Sequence, residues 1–133
     1  MTVREFIESF VERGWVKPHN DNVYSTTDRC KQYYREHDLT EWRHFASITK
    51  DEQLHPVLMI WVPPKVNQRD QWDNANRWSY VNLWIDSADM DLSKLYSNPD
   101  WQRVYALTVF FGEEDILSPF KADDYVDLDN IVF

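Results

Sequence analysis

Acidic side chains are the residues of this 133-residue chain whose number and spacing most suggest chemistry. Residues 86–133 hold eleven acidic and only three basic side chains, so they carry −8 of the net charge of −9. The candidates form three clusters: Asp86, Asp89 and Asp91; Glu113, Glu114 and Asp115; and Asp123, Asp124, Asp127 and Asp129. Three hypotheses compete for them, namely solvated surface charge, a site for a hard cation, and a negative face that binds a basic partner.

Metal coordination is the narrowest of these hypotheses. Asp127 and Asp129, followed by Asn130, have the spacing of oxygen ligands, but an EF-hand loop also needs Gly at its sixth position and Glu at its twelfth, and neither is present. Cys30 is the only cysteine, so this chain alone can form neither an intramolecular disulfide nor a cysteine-based zinc site. The histidines include no HExxH motif. We therefore predict no metal and no cofactor.

Glycine is scarce, and this excludes several catalytic and nucleotide-binding motifs. Only Gly14 and Gly112 occur, whereas Walker A loops, dinucleotide fingerprints and nucleophile elbows all require closely spaced glycines. Cys30 lies between Arg29 and Lys31, whose charges can lower the pKa of a thiol, but no base is identifiable beside it, and a small helix residue is the simpler interpretation. The sequence predicts no catalytic residue and favours a protein that is not an enzyme.

Aromatic residues make up 16% of the chain, and Trp78, Tyr80 and Trp84 share one side of a predicted strand. Aromatic side chains on an open sheet can stack nucleic-acid bases, but such platforms are combined with basic grooves, and this chain is acidic. We therefore expect no direct binding of nucleic acid. Two alternatives stay open for these rings: a helix or the C-terminal segment covers them, or they form a protein interface or the wall of a small-molecule pocket.

The elements that must position these residues begin with two predicted helices. Thr2 and Glu5 have the spacing of a capping box, apolar residues follow at helical spacing, and Gly14 is placed to end the helix in a left-handed turn. Residues 15–22 contain a proline and an Asn-Asp-Asn cluster, so they are predicted to be a loop. A second helix is predicted within residues 25–37, capped by one of the serine or threonine residues at its start.

The middle of the chain changes to the two-residue period of strands. Residues 42–49 alternate and the run Pro56–Val62 is apolar, which together predict an antiparallel hairpin. Residues 77–86 alternate again and form the third predicted strand. Asn98 and the proline after it predict the start of a short helix, and residues 104–111, which are β-branched and aromatic, are predicted to be the fourth strand.

These elements predict a single α+β domain over residues 1–133. It contains a mainly antiparallel sheet of about four strands with the two N-terminal helices packed on one face. The acidic C-terminal segment, residues 113–133, has enough apolar side chains to dock on that domain. The sequence shows neither a signal peptide nor a long apolar stretch, so we predict a cytoplasmic protein without a membrane partner.

The function that we predict is binding of a basic protein partner by a small, acidic, non-enzymatic protein. The partner-binding residues would be the ten acidic residues named above together with Trp78, Tyr80 and Trp84. A stoichiometric inhibitor of a nucleic-acid-binding protein fits this description, because carboxylates on a rigid surface can occupy the places of phosphates. Small acidic proteins of the immunity, antitoxin or phage counter-defence type act in this way. The sequence leaves the oligomeric state open.

An alternative is a small-molecule-binding or enzymatic pocket protein. Two helices followed by a curved antiparallel sheet resembles, in element order only, the cone-shaped NTF2-like folds. That resemblance implies a pocket in which His44 or Asp86 would act as an acid or base. Its aromatic walls would be formed by Trp42, Trp61, Trp78 and Trp84.

Overall fold

The computed structural model of the chain describes residues 1–68 and 77–131. Within these two ranges it contains three α-helices and five β-strands, and short 3₁₀ helices follow in the C-terminal third. The α-helices are α1 (Val3–Glu12), α2 (Asp28–Glu36) and α3 (Trp101–Phe110). The strands are β1 (Val16–Pro18), β2 (Val23–Thr26), β3 (His44–Lys50), β4 (Pro56–Val62) and β5 (Ser79–Trp84). The predicted α+β class is confirmed.

Both N-terminal helices begin at caps that the sequence indicates. Thr2 and Glu5 exchange the two hydrogen bonds of the capping box, at 2.8 and 3.1 Å, and Gly14 follows the end of α1 with a φ of +83°. Thr27 caps α2, because its side-chain oxygen accepts a hydrogen bond from the backbone N–H of Cys30 at 3.3 Å. The two predicted helices are therefore confirmed.

The described strands form one antiparallel sheet in the order β1-β2-β3-β4-β5, so each strand pairs with its neighbour in sequence. The predicted hairpin corresponds to β3 and β4, whose central pair is Ile48 with Leu58. The predicted alternation of β5 is also confirmed. Its core side carries Leu83, which is fully buried, while Trp84 points to the opposite face.

The predicted fourth strand, residues 104–111, is wrong: these residues belong to α3 and its C-terminal cap. The β-branched and aromatic side chains suggested a strand, but Trp101, Val104 and Leu107 are all buried at helical spacing. Burial of that helical face outweighs the modest intrinsic preference of Val and Thr for strands. The short helix predicted to start near Asn98 therefore begins at Trp101 and continues as α3 through the residues predicted to be a strand.

The predicted loop over residues 15–22 is also wrong in part, because it contains β1. This strand is only three residues long and pairs with β2, with Pro18 opposite Tyr24. So short a strand cannot show a recognisable two-residue period, and the proline at its end indicates a turn when the sequence is considered alone. The described sheet consequently has five strands instead of about four.

The helices pack on one face of the sheet, and the opposite face, which we call the open face, carries no helix among the described residues. The core between helices and sheet is aromatic; the rings of Phe10 in α1 and Phe45 in β3, for example, lie 5.1 Å apart. The segment after α3 contributes Ile116, Leu117 and Val126 to the same core. No helix in the described parts of the chain is both long and apolar enough to cross a membrane.

Candidate functional site in the C-terminal third

Two of the ten acidic candidates are bound by Arg13, which follows α1. The Arg13 guanidinium forms an ion pair with Glu113 and donates two hydrogen bonds to Asp115, at 2.8 and 3.0 Å. Glu113 also accepts a hydrogen bond from the indole N–H of Trp15 at 2.9 Å. The hydrogen bonds from Arg13 lower the pKa of Asp115, and those to Asp115 and Glu113 raise the pKa of Arg13. Both carboxylates thus hold the segment after α3 against the N-terminal helix.

Two further candidates are the caps of short 3₁₀ helices. Asp91 caps the helix Leu92–Leu95, where its carboxylate accepts a hydrogen bond from the N–H of Ser93 at 2.9 Å. Hydrogen bonding to the side chain of Ser93, and next to its backbone N–H, lowers the pKa of Asp91. Asp127 accepts from the N–H of Asp129 at 3.1 Å. Both caps are exposed, so the hydrogen bonds fix the carboxylates in place and leave their charge at the surface.

Asp91 and Asp124 line an open cleft of about 410 Å³, which we call the C-terminal cleft. Its aromatic wall consists of Tyr96, Phe120 and Tyr125. The ring centroid of Tyr96 lies 4.6 Å from that of Phe120 and 5.3 Å from that of Tyr125. Burial raises the pKa of Tyr96, and the negative charge of Asp91 raises it further. Carboxylates from two different sequence clusters therefore lie around one aromatic wall.

The chemistry of the C-terminal cleft suits a cationic side chain. The faces of tyrosine and phenylalanine rings attract cations, and carboxylates form charge-assisted hydrogen bonds with ammonium and guanidinium groups. Lys121 and Met1 of the protein itself also line the cleft, where the Lys121 amine can compete for the same carboxylates. The positive charges of the N-terminus and of Lys94 already act on Asp91 and help to lower its pKa. The cleft can therefore bind one lysine or arginine side chain in competition with cations of the same chain.

The rest of the acidic candidates stay at the surface. Glu114 and Asp123 both lie near Tyr105: burial raises the pKa of this tyrosine, and the negative charges of the two carboxylates raise it further. Carboxylates of the second and third sequence clusters thus meet beside α3. The remaining candidates are also exposed, and they are Asp86, Asp89 and Asp129.

The aromatic candidates occupy two different environments. Tyr80 and Trp84 are 49% and 66% exposed on the open face, so the expectation that a helix or the C-terminal segment covers them does not hold. Trp78 is half-buried, and its ring packs against Tyr34 of α2 at 5.0 Å and against Trp42 at 5.8 Å. Tyr80 and Trp84 are thus available to a partner, whereas Trp78 mainly joins α2 to the sheet.

Of the residues of the predicted pocket, Trp42, Trp61, Trp78 and His44 lie together, whereas Trp84 lies at the far end of β5 and packs against His55 at 5.1 Å. The ring of Trp61 is 5.3 Å from Trp42 and 5.9 Å from His44, and all three belong to the open face. Partial burial, together with the positive charge of Arg43, lowers the pKa of His44. Asp86, the other acid or base proposed for that pocket, follows β5 and is exposed.

Cys30 is fully buried in α2, and burial raises the pKa of its thiol to about 11. The charges of Arg29 and Lys31 lower that pKa only in part, so the thiol is protonated at neutral pH and is not activated. Among the described residues, no group of three His, Cys, Asp or Glu side chains is arranged to hold a metal ion.

Four residues that build the site were not found by sequence reasoning: Arg13, Tyr96, Phe120 and Tyr125. Arg13 binds a carboxylate 100 positions away, and Tyr96 meets Tyr125 from a position 29 residues earlier in the chain. Neither pairing has a local period or motif. The only signal was the high aromatic content, which does not say which rings meet.

Comparison with known proteins does not identify the chain. No protein-family model matches it, and no match was found among curated proteins or among solved structures. Inferences about function therefore depend on the geometry of the C-terminal cleft and the open face.

Proposed function

We propose that this protein is a small, non-enzymatic protein-binding protein whose C-terminal cleft receives a cationic side chain of a basic partner. The observation that carries the proposal is the convergence of Asp91 and Asp124 with Tyr96 and Tyr125 around one cleft. An arginine or lysine inserted there contacts aromatic ring faces and pairs with carboxylates, a combination enriched at the centres of protein interfaces. Capping of the 3₁₀ helix by Asp91 supports the proposal, because a carboxylate held in place loses little entropy on binding.

We further propose that the partner is a nucleic-acid-binding protein and that the acidic protein inhibits it stoichiometrically. The basic groove of such a partner is built to bind a row of phosphates. The exposed carboxylates of Glu114 and Asp123, beside the same segment that lines the C-terminal cleft, extend the negative surface beyond one contact. Complementary potentials of this kind speed association and fix the register of a complex. The immunity, antitoxin and counter-defence classes are the functional settings in which such inhibitors occur.

The basic partner is assigned to the C-terminal cleft and not to the open face because of charge. The outward-facing residues of β5 are Tyr80, Asn82 and Trp84, none of which is charged. They offer aromatic surface to a partner but nothing that selects a cation over a neutral group, apart from weak attraction to the ring faces. The prediction that Tyr80 and Trp84 anchor the basic partner stays a prediction.

Binding of a short arginine-rich peptide, measured by isothermal titration calorimetry, tests the role of the C-terminal cleft. The D91N/D124N variant should bind the peptide about fivefold more weakly, since each exposed ion pair contributes roughly 0.2–1 kcal/mol. Asparagine is as good a helix cap as aspartate, so the fold around Asp91 is retained. K121Q should bind more tightly than the wild type, because it removes the competing cation.

The matched control is D21N/E52Q, which changes the net charge by the same amount. Asp21 and Glu52 are exposed in the N-terminal half and form no hydrogen bond or ion pair with the described residues. If binding depends only on net charge, the control variant should weaken peptide binding as much as D91N/D124N does. That result would reject the proposed cleft. An affinity that does not change between about 50 and about 500 mM salt would reject an electrostatic interaction altogether.

The inhibitor proposal needs its own experiment with cellular proteins. Immobilised wild-type protein and the D91N/D124N variant are used as matched baits at low salt, and proteins retained by the wild type alone are purified. Such a protein should bind duplex DNA or RNA, and an equimolar amount of the acidic protein should abolish that binding. Retention of the same proteins by both baits, or continued nucleic-acid binding at excess inhibitor, would contradict the proposal.

A further inference from the structure

The two edges of the sheet differ in how they are protected against pairing with another strand. The edge strand β1 has three residues, one of them Pro18, and carries the charged Lys17, all of which discourage a new strand from adding there. The edge strand β5 has six residues, Ser79–Trp84, and contains neither a proline nor a charge. It therefore has the features of an edge that accepts another strand.

The register of the sheet shows which backbone groups of β5 face this free edge. Ile85, directly after β5, donates its N–H to the carbonyl of Pro56 at 3.1 Å, so this position points towards β4. In an antiparallel ladder such positions alternate, which directs the N–H and C=O of Tyr80, Asn82 and Trp84 away from β4. Within the parts of the chain that the structure describes, none of these three residues has a hydrogen bond at its outer edge.

We propose that β5 pairs with β5 of a second copy of this chain, antiparallel and centred on Asn82. In this register Asn82 lies opposite Asn82 of the second copy, and Tyr80 lies opposite its Trp84. Each of the three pairs forms two hydrogen bonds, so all the outward-facing backbone groups of the strand are satisfied. The two sheets continue into one, and the inference does not depend on the basic partner proposed above.

Self-complementarity is the reason for choosing a second copy as the occupant. The two-fold register places aromatic Tyr80 against aromatic Trp84 twice on the open face, while Val81 and Leu83 are already buried in the core of their own protomer and add no surface to the pairing. Asp86, the acidic residue that follows β5, lies at one end of the paired strands in one copy and at the other end in the second copy. The two Asp86 side chains are thus about 25 Å apart, well beyond the screening length of about 8 Å.

Access to the edge also favours the pairing. Helix α3 packs over β4, one strand inside the edge, and on the core side its Arg103 donates a hydrogen bond to Ser79 at the start of β5 at 2.5 Å. Tyr80 and Trp84 pack against Trp61 and His55 on one side and are still 49% and 66% exposed, so both rings keep surface that can face a second copy. Burial of such aromatic surface stabilises an interface in addition to the backbone hydrogen bonds.

Light scattering coupled to size-exclusion chromatography tests the pairing on the full chain, between about 1 and about 300 µM because dimerisation follows mass action. The wild type should shift from a mass of 16.1 kDa towards twice that value as its concentration rises. N82K should weaken the dimer about tenfold or more, since two like-charged side chains then lie directly opposite each other on Cα atoms about 5.5 Å apart. N82D should weaken it in the same way.

Mixing the N82K and N82D variants is the decisive arm of the experiment. The lysine introduced in one copy then faces the aspartate introduced in the other, so the dimer should return. A matched control is S47K, which adds a lysine to the open face on β3 and away from the edge; it should leave the dimer intact. Circular dichroism and a cooperative melt establish that each variant is folded. A wild type that stays at 16.1 kDa, an N82K variant that dimerises normally, or a mixture that stays monomeric would each overturn the proposed pairing.

Discussion

The open face of the sheet and the C-terminal cleft both display aromatic side chains, but only the cleft combines them with carboxylates. Tyr80 and Trp84 stand on an uncharged strand, whereas Tyr96 and Tyr125 share the cleft with Asp91 and Asp124. An aromatic surface without charge contributes affinity and little discrimination, while carboxylates beside aromatic rings select cations. The difference teaches that aromatic content alone does not identify a binding surface, because the charges around the rings decide which partner fits.

The same comparison separates the acidic residues into two groups. Glu113 and Asp115 are engaged by Arg13 and hold the C-terminal segment in place. Asp91 and Asp124 line the cleft without a basic partner from the described elements at hydrogen-bonding distance. Carboxylates of the first kind contribute to stability, and those of the second kind are available for binding.

The largest effect is expected for neighbouring substitutions on β5, which test whether the open-face aromatics are free. Leu83→Ala should lower the free energy of unfolding by about 2–5 kcal/mol, because the side chain is fully buried. Trp84→Ala should lower it by less than about 1 kcal/mol, since that ring is 66% exposed. Urea denaturation measures both. Equal losses would mean that Trp84 is needed for the fold and is not a free contact surface.

A smaller effect on stability is expected for substitution of the carboxylates. The comparison predicts a loss of stability for the carboxylate bound by Arg13 and almost none for the carboxylate in the cleft. Glu113→Gln should destabilise the protein by about 1 kcal/mol, because it weakens a charge-assisted contact in which Glu113 is largely buried and Arg13 is partly exposed. Asp124→Asn should change the stability by less than about 0.5 kcal/mol, as expected for an exposed side chain. Thermal or urea unfolding compares the two. A loss with Asp124→Asn as large as that with Glu113→Gln would remove the distinction.

The smallest effect is expected for the dependence of stability on acidic pH. The folded-state pKa of Asp115 is lowered by its hydrogen bonds to Arg13, so its contribution to stability is present above the ordinary value of 3.8 and is lost as the pH falls through the lowered value. Asp115→Asn should therefore flatten the fall in stability below about pH 4. Urea unfolding at several acidic pH values would show an unchanged slope for Asp115→Asn if the account is wrong.

The sequence was a good guide wherever neighbouring residues determine the structure. The capping box of Thr2 and Glu5 is local, and the alternation of β5 is local, so both could be predicted. Helix α3 was predicted in part as a strand because its β-branched residues are offset only by burial of Trp101 and Leu107 against distant elements. Local preference is a weak guide where tertiary packing decides.

The candidate site could be predicted only as a set of residues. The charge asymmetry of residues 86–133 is visible in the composition, but the division of its carboxylates between structure and surface depends on Arg13, which is 100 positions from Glu113. The meeting of Tyr96 with Tyr125 depends in the same way on the path of the chain after α3. Such long-range contacts leave no periodic trace in a single sequence.

The most direct test of the C-terminal cleft is a two-dimensional amide NMR spectrum recorded while an arginine-rich peptide is added to the protein. The amide signals of residues 91–96 and 120–126 should shift in a saturable way, and those of β5 should shift little. The same titration of D91N/D124N should give much smaller shifts. Peptide-induced shifts that spread over the whole surface, or that concentrate on Tyr80 and Trp84, would contradict the assignment of the cation-binding site.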